Sequence, residues 1–429
     1  MWVVRAGKRR EPPAPVRWAA LQRLCARLFV AAFAVILLAP AVVQLLVYRP
    51  TAPSENRSLA TWPRAPQSLD EAWRLPARIS AYIEDHFGGR TKMIVAHNRL
   101  RYALFHELPT EQVIEGKHQR LFLTSHSSHT PYALIRNVCG IGVENSEIAA
   151  AGGAATALIE HLRAEAPKSL LLLVPTSPVI YPEDLPDWLD RLCAQAEPTG
   201  VRVEAGLPAA ARSAWAYPLQ QMLDLKRSMQ VYPSAYFHWY GAPPRRIIEA
   251  IAEHRLGLVK HTELAAAMQP VGSDLGQFSP GIRFTSSAVL PDWQRAGIDA
   301  CVGPTCFPEL GDIAPVLYDV SRYRNRNAGG TRLLVLSDSF GLHGAGYFSE
   351  YVGEVWHLST SDLGRLSPDQ LERFRQIVFH DYDPDIIVGI YHDGALLRGL
   401  GGVIRSLWPD GSPNATAQRG DGDVDTGSR

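Results

Sequence analysis

The apolar run Leu333-Leu334-Val335-Leu336 stops abruptly in a small polar turn, Ser337-Asp338-Ser339, and a segment of helical character follows Phe340-Gly341. Such a run reads as a strand buried between two packed layers, and residues 169 to 175 and 385 to 391 repeat the pattern. Helical spacing is read over 144–165, 184–196, 243–268, 340–350 and 368–377, with further strands at 352–358 and, more weakly, 201–203. In the helix expected at 243–268, Ile247, Ile248, Ile251 and Leu256 share one side. Strand and helix alternate, which predicts an α/β fold: a parallel sheet with helices on both faces. Residues 68–107 read as helical and 113–117 with 121–123 as a short strand pair. The Gly-, Pro- and Ser-rich stretch 269–330 reads as loops or a small β insertion.

A second feature sets the chain's location. Residues 28–48, LFVAAFAVILLAPAVVQLLVY, carry no charged side chain, enough for a helix to cross a bilayer core of about 30 Å. Arg5, Lys8, Arg9, Arg10, Arg17, Arg23 and Arg27 precede it against Glu11 alone. That bias keeps segment 1–27 cytoplasmic and predicts a single-pass inner-membrane protein whose carboxyl-terminal part lies on the far side. A cleaved secretion signal is the alternative, but its apolar stretch is usually only about 7 to 15 residues. A Pro-rich linker (49–66), a globular domain (67–408) and a polar, disordered tail (409–429) complete the expected organisation.

Lys plus Arg equals Asp plus Glu, 43 each. No overall field attracts nucleic acid, and no such partner is expected. Cys139, Cys193, Cys301 and Cys306 would face an oxidising compartment, where they allow three pairings. The tight loop Cys301-Val-Gly-Pro-Thr-Cys306 favours Cys301 with Cys306 and therefore Cys139 with Cys193; free buried thiols are the alternative. No His or Cys pair has zinc spacing, so neither a metal nor a bound cofactor is implied.

Ser339 falls at the carboxyl end of a buried strand, where α/β folds keep their chemistry. It reads as a nucleophile if a base reaches it, and as a helix cap otherwise. His238, in Tyr236-Phe237-His238-Trp239-Tyr240-Gly241-Ala242, is the candidate base, with a packed structural histidine as the bland reading. Asp338 reads as a backbone brace. His392-Asp393, after the last strand, offers a substitute carboxylate or an exposed loop pair. Tyr236, Trp239 and Tyr240 read as loop packing before sugar stacking, and the run Arg322 to Arg326 as a solvated face.

The Ser-Asp-Ser turn resembles the nucleophile turn of SGNH hydrolases, with Ser337 where that family has Gly. Its company extends the resemblance: Glu55-Asn56-Arg57-Ser58-Leu59-Ala60, Asp85-His86-Phe87 with Arg90, Glu115-Gly116-Lys117 with Leu121-Phe122, Val174-Pro175 with Ile180-Tyr181-Pro182-Glu183-Asp184-Leu185-Pro186, and His238-Trp239 with Gly241-Ala242. In this order they are similar to the alginate O-acetyltransferase family of AlgX/AlgJ type, from about residue 55 to about residue 395. The resemblance implies a three-layer SGNH-like domain in the periplasm that acetylates an exopolysaccharide and receives its acyl group from a membrane-bound partner. It implies Ser339 as nucleophile, His238 as base and position 236 as the acid. Tyr236 cannot supply that charge, so Asp393 is the substitute considered, with Tyr236, Trp239, Asp338 and His392 in support. The missing acid makes a degenerate glycan-binding or scaffold subunit the alternative, and a carbohydrate esterase a second one.

Overall fold

The computed structural model describes residues 16–46, 59–87 and 89–409. It divides into two units, Met1–Glu107 with Pro280–Ile282, and Leu108–Ser279 with Arg283–Arg429.

In the first unit, helix α1 (Val16–Leu46) starts well before the expected anchor. Its segment Leu21–Ala39 is long and apolar enough to cross a bilayer, a property shared with a secretion signal near an amino terminus. The expected helix at 68–107 is two, α2 (Leu69–His86) and α3 (Arg90–Phe105). Phe87 turns extended after α2, and Gly89 takes φ +85° before α3, a region that costs glycine little. Ser68 caps α2 by accepting from the Glu71 amide. Residues 59–66 of the expected linker form no helix or strand; 49–58 and the tail from 410 lie outside the described residues.

In the second unit, β1 (Val113–Glu115) pairs antiparallel with β2 (Leu121–Leu123). The central sheet then uses β3 (Lys168–Val174), β4 (Trp215–Ala216), β7 (Ile298–Val302), β8 (Val320–Asn325), β9 (Arg332–Ser337), β10 (Glu354–Ser359) and β11 (Ile386–His392), while β5 (Ala266–Gly272) and β6 (Thr285–Pro291) form a separate hairpin. The sheet order is β4-β3-β11-β9-β10-β8-β7. β4 through β10 in that order run parallel, but at the far edge β8 pairs antiparallel with β10 and β7 antiparallel with β8, so the all-parallel expectation is corrected.

The apolar runs have a direct cause. Leu170, Leu172, Val174, Leu333, Val335, Val388 and Ile390 pack into one cluster, while Leu171, Leu173, Leu334, Leu336 and Ile387 pack into another. Successive side chains point to opposite faces, and both faces are covered, so no polar alternation survives.

Two further expectations change. Residues 201–203 lie in the helix Thr199–Gly206, where Val203 is buried and Val201 only partly so. The helix expected at 243–268 runs from Ala242 through Arg255, ends beside Gly257 at φ +62°, and gives way to β5.

Cys139 bonds Cys193, tying the helix Ala133–Cys139 to the helix Asp187–Gln195, and Cys301 bonds Cys306 at the end of β7. The first spans 54 positions and the second five. Loop-closure entropy alone makes the first worth about 4 kcal/mol and the second about 2 kcal/mol. Double Cys→Ala replacement of each pair, followed by urea unfolding, should therefore destabilise more at 139/193 than at 301/306.

Candidate active site

β9 delivers the turn Ser337-Asp338-Ser339 to the carboxyl edge of the sheet, beside the end of β11. Asp338 braces this turn from within: its carboxylate accepts from the Phe340 amide and from the His392 amide, both at 2.9 Å, while its own amide donates to Ile390 O. Below it, Ser337 Oγ lies 2.6 Å from Asp338 O and 2.7 Å from His357 Nε2, and Ser321 Oγ lies 3.1 Å from His357 Nδ1. Ser337 has one proton, which goes to the carbonyl, so His357 donates from Nε2 and accepts from Ser321 at Nδ1. Burial holds this imidazole neutral, with its pKa pushed down to about 3. Gly341 is obligatory here, because a Cβ would stand 2.0 Å from Ser337 Oγ.

The loop after Val231 brings His238 to the same edge. Trp239 anchors it by donating from Nε1 to Phe340 O at 2.9 Å, and Gly344 leaves room for the indole. His238 Nε2 then lies 2.7 Å from Ser339 Oγ. Its other nitrogen, Nδ1, lies 2.6 Å from Asp274 Oδ2. Asp274 also accepts from the Phe237 and His238 amides, each at 3.0 Å, which fixes the carboxylate against the ring. A carboxylate facing Nδ1 requires the proton there and leaves the Nε2 lone pair for the serine hydroxyl.

The rings of Phe237, Phe340 and His343 lie 5.0, 5.1 and 5.3 Å from that of His238. Desolvation, with His238 beside it, pushes His343 down to about 3. His238 and Asp274 nevertheless keep about a fifth of their side-chain surface open, 19% and 20%. Ser339 is likewise partly exposed, so a substrate can reach the hydroxyl. Among the described residues, the Ser339 amide donates to no protein group and is free to meet a developing oxyanion.

The structure thus brings together Ser339 and His238, which lie a hundred positions apart, and adds a residue that sequence reasoning missed. Asp274 opens a short 3-10 turn after β5, inside the stretch expected to be loops or a small β insertion. Its one local mark is Ser273-Asp274, a turn-forming pair, and nothing in its spacing ties it to His238.

The substitute acid, Asp393, is corrected. It is buried, it accepts from the Thr176 amide, the Thr176 hydroxyl and Tyr217 OH, and the place it would need on His238 is filled by Asp274. Nor is it part of an exposed pair, since His392 packs its ring against Phe237 and Phe340. Tyr236 lies off the imidazole, donating its hydroxyl to Gly272 O. Trp239 is wholly buried and so packs inside the protein. Ser339 does not cap a helix; its hydroxyl goes to His238, and the short helix Gly341–Gly344 has no side-chain cap.

No family model matches this chain, and no curated protein matches it. Among solved structures, it is similar to a DHHW family protein from Eubacterium siraeum at 12% identity, over 59% of this chain and 88% of that one, with a TM-score of 0.43. Bacillus cereus PatB1 matches at 13% identity, over 66% and 96%, with a TM-score of 0.43. The O-acetyltransferase domain of Pseudomonas putida AlgJ matches at 14% identity, over 69% and 99%, with a TM-score of 0.40. Likeness this distant assigns no family.

Burial raises the Asp393 carboxyl from 3.8 to about 7, against the lowering effect of its Thr176 and Tyr217 hydrogen bonds. Because the folded-state value lies above the unfolded one, its contribution to stability is complete below pH 3.8 and lost as pH rises through 7. The loss is on the order of 4 kcal/mol. Urea unfolding across pH 4 to 8 should show that Asp393→Asn removes this slope, so that the variant gains on the parent as pH rises.

Proposed function

We propose that this chain is an acyltransferase in which Ser339 carries an acyl group, most simply acetyl, from a donor to a hydroxyl of an exported polysaccharide. One observation carries the reading: the unbroken hydrogen-bonded line from Ser339 Oγ through His238 to Asp274. His238 Nε2 takes the hydroxyl proton as Oγ attacks the donor carbonyl, and the Asp274 carboxylate stabilises the imidazolium. The oxyanion lies toward the Ser339 amide. Collapse returns the proton from His238 to the leaving group and leaves an acyl ester on Ser339. In the second half, His238 deprotonates the acceptor hydroxyl, which attacks the ester and regenerates the serine.

The polymer class, the SGNH-like description of the fold and a membrane-bound donor partner come from the sequence resemblance, and the export-side location from the basic residues that precede the apolar segment. The apolar segment of α1 supports attachment at a membrane. The ground for a degenerate scaffold was a missing acid, and Asp274 removes that ground. A hydrolase would use the same three residues with water as acceptor, so acetate rather than acetylated sugar would accumulate.

Purified protein incubated with an activated acetyl ester should gain one acetyl group on Ser339, located by peptide mass spectrometry. Ser339→Ala should abolish the adduct, and Asp274→Asn should slow transfer by on the order of 10⁴. A folded protein that forms no adduct at Ser339 defeats the reading.

A further inference from the structure

Asp274 reaches His238 from outside the central sheet. It lies two residues beyond β5, whose side chains are exposed apart from Val271, while β6 is mostly half-buried, with Ala288 its buried residue. A two-stranded ribbon is marginal by itself in water, so the place of the carboxylate depends on what the hairpin docks against, together with Leu275, which is buried in the main core.

Within this unit the dock is the loop that carries His238. Ser273 Oγ donates to Ala235 O, Tyr236 OH donates to Gly272 O, and the Phe237 amide, the His238 amide and the His238 ring meet the Asp274 carboxylate. The apolar seat is small. It consists of Tyr236, Val271 and Ala288, with Tyr240 and Leu290 at its margin. Tyr236 is the one residue that both fills this seat and ties the hairpin backbone by a side-chain hydrogen bond. Its ring lies 5.3 Å from that of Tyr240. Burial pushes its phenol up to about 12, so it remains a donor at neutral pH.

We infer that Tyr236 is a positioning residue: it docks the β5–β6 hairpin onto the His238 loop and thereby sets Asp274 against Nδ1. This deepens the acyltransferase reading and rests on Asp274 as its acid. The residue contacts no reacting atom. It acts through the hairpin, so its loss should change the state of His238 before it changes the fold.

The test uses the full-length protein. The hydrogen-bonded Nδ1 proton of His238 gives a downfield proton NMR signal, assigned by its loss in His238→Gln and expected to vanish in Asp274→Asn. Tyr236→Ala should lose the same signal and lower kcat toward the Asp274→Asn level, with KM for the acetyl donor unchanged. Tyr236→Phe removes only the hydroxyl, and should speed deuterium exchange of the hairpin amides about 2- to 10-fold while β9 amides keep the parent rate. A Tyr236→Ala protein that keeps both the signal and the parent kcat overturns the inference. If that variant does not fold, Tyr236→Phe decides, and unchanged hairpin exchange overturns it. A signal that persists in Asp274→Asn instead refutes the acid assignment itself, which separates failure of the clamp from failure of the function.

Discussion

The contact between the Asp274 carboxylate and His238 Nδ1 decides what the rest of the site can do. An imidazole with no neighbour at Nδ1 can place its proton on either nitrogen, and with the proton on Nε2 it cannot accept from a serine. The carboxylate 2.6 Å away makes that choice, and the two backbone amides it also accepts from keep it in place. Serine, histidine and acid come from three different parts of the chain: a strand end of the sheet, a loop, and a hairpin outside the sheet. The core fixes the first directly and reaches the other two through Phe237 and Trp239 beside His238 and Leu275 beside Asp274. Precision at the other two is supplied by small, specific contacts, Trp239 with Phe340 for the loop and Tyr236 with Gly272 for the hairpin.

Which parts were legible in the sequence follows from the same division. β3, β9 and β11 were readable because burial on both faces removes every polar residue from the middle of the strand, and the turn Ser337-Asp338-Ser339 was readable because it interrupts such a run. β8 was not. It carries Arg322 and Arg324, which share Glu354 of the neighbouring strand β10, so it looks like a solvated charge run until its partner is known. Its antiparallel course, and the antiparallel pairing of β7 with it, likewise depend on contacts across the sheet. The helix Thr199–Gly206 shows the opposite error, in which two valines suggest a strand although only one is buried.

Asp274 was illegible for a deeper reason. Its relation to His238 spans 36 positions and is set by where a hairpin docks. No helical or strand period encodes that distance. Asp393, by contrast, follows a legible strand and does sit at the correct edge of the sheet. Proximity along an edge is not enough, because burial without a cation favours the protonated carboxyl, and a group already accepting from Thr176 and Tyr217 is committed to holding the end of β3 against β11.

Two Ser–His pairs lie next to one another in this fold, Ser339 with His238 and Ser337 with His357, and each has a heavy-atom separation of 2.7 Å. Geometry alone does not make them equivalent. His357 has a serine, not a carboxylate, at its second nitrogen, and burial pushes its pKa to about 3. Placing a proton on it at pH 7 costs on the order of 5 kcal/mol, which removes it as a base for any step requiring an imidazolium. His238 has the carboxylate and retains access to water. Of the two serines, only Ser339 stands beyond the strand end and is partly open, while Ser337 is sealed beneath Gly341. The inner pair therefore holds the turn from below, and the outer pair is the one whose geometry suits the proposed acyl transfer. What separates them is one negative charge, delivered by the hairpin.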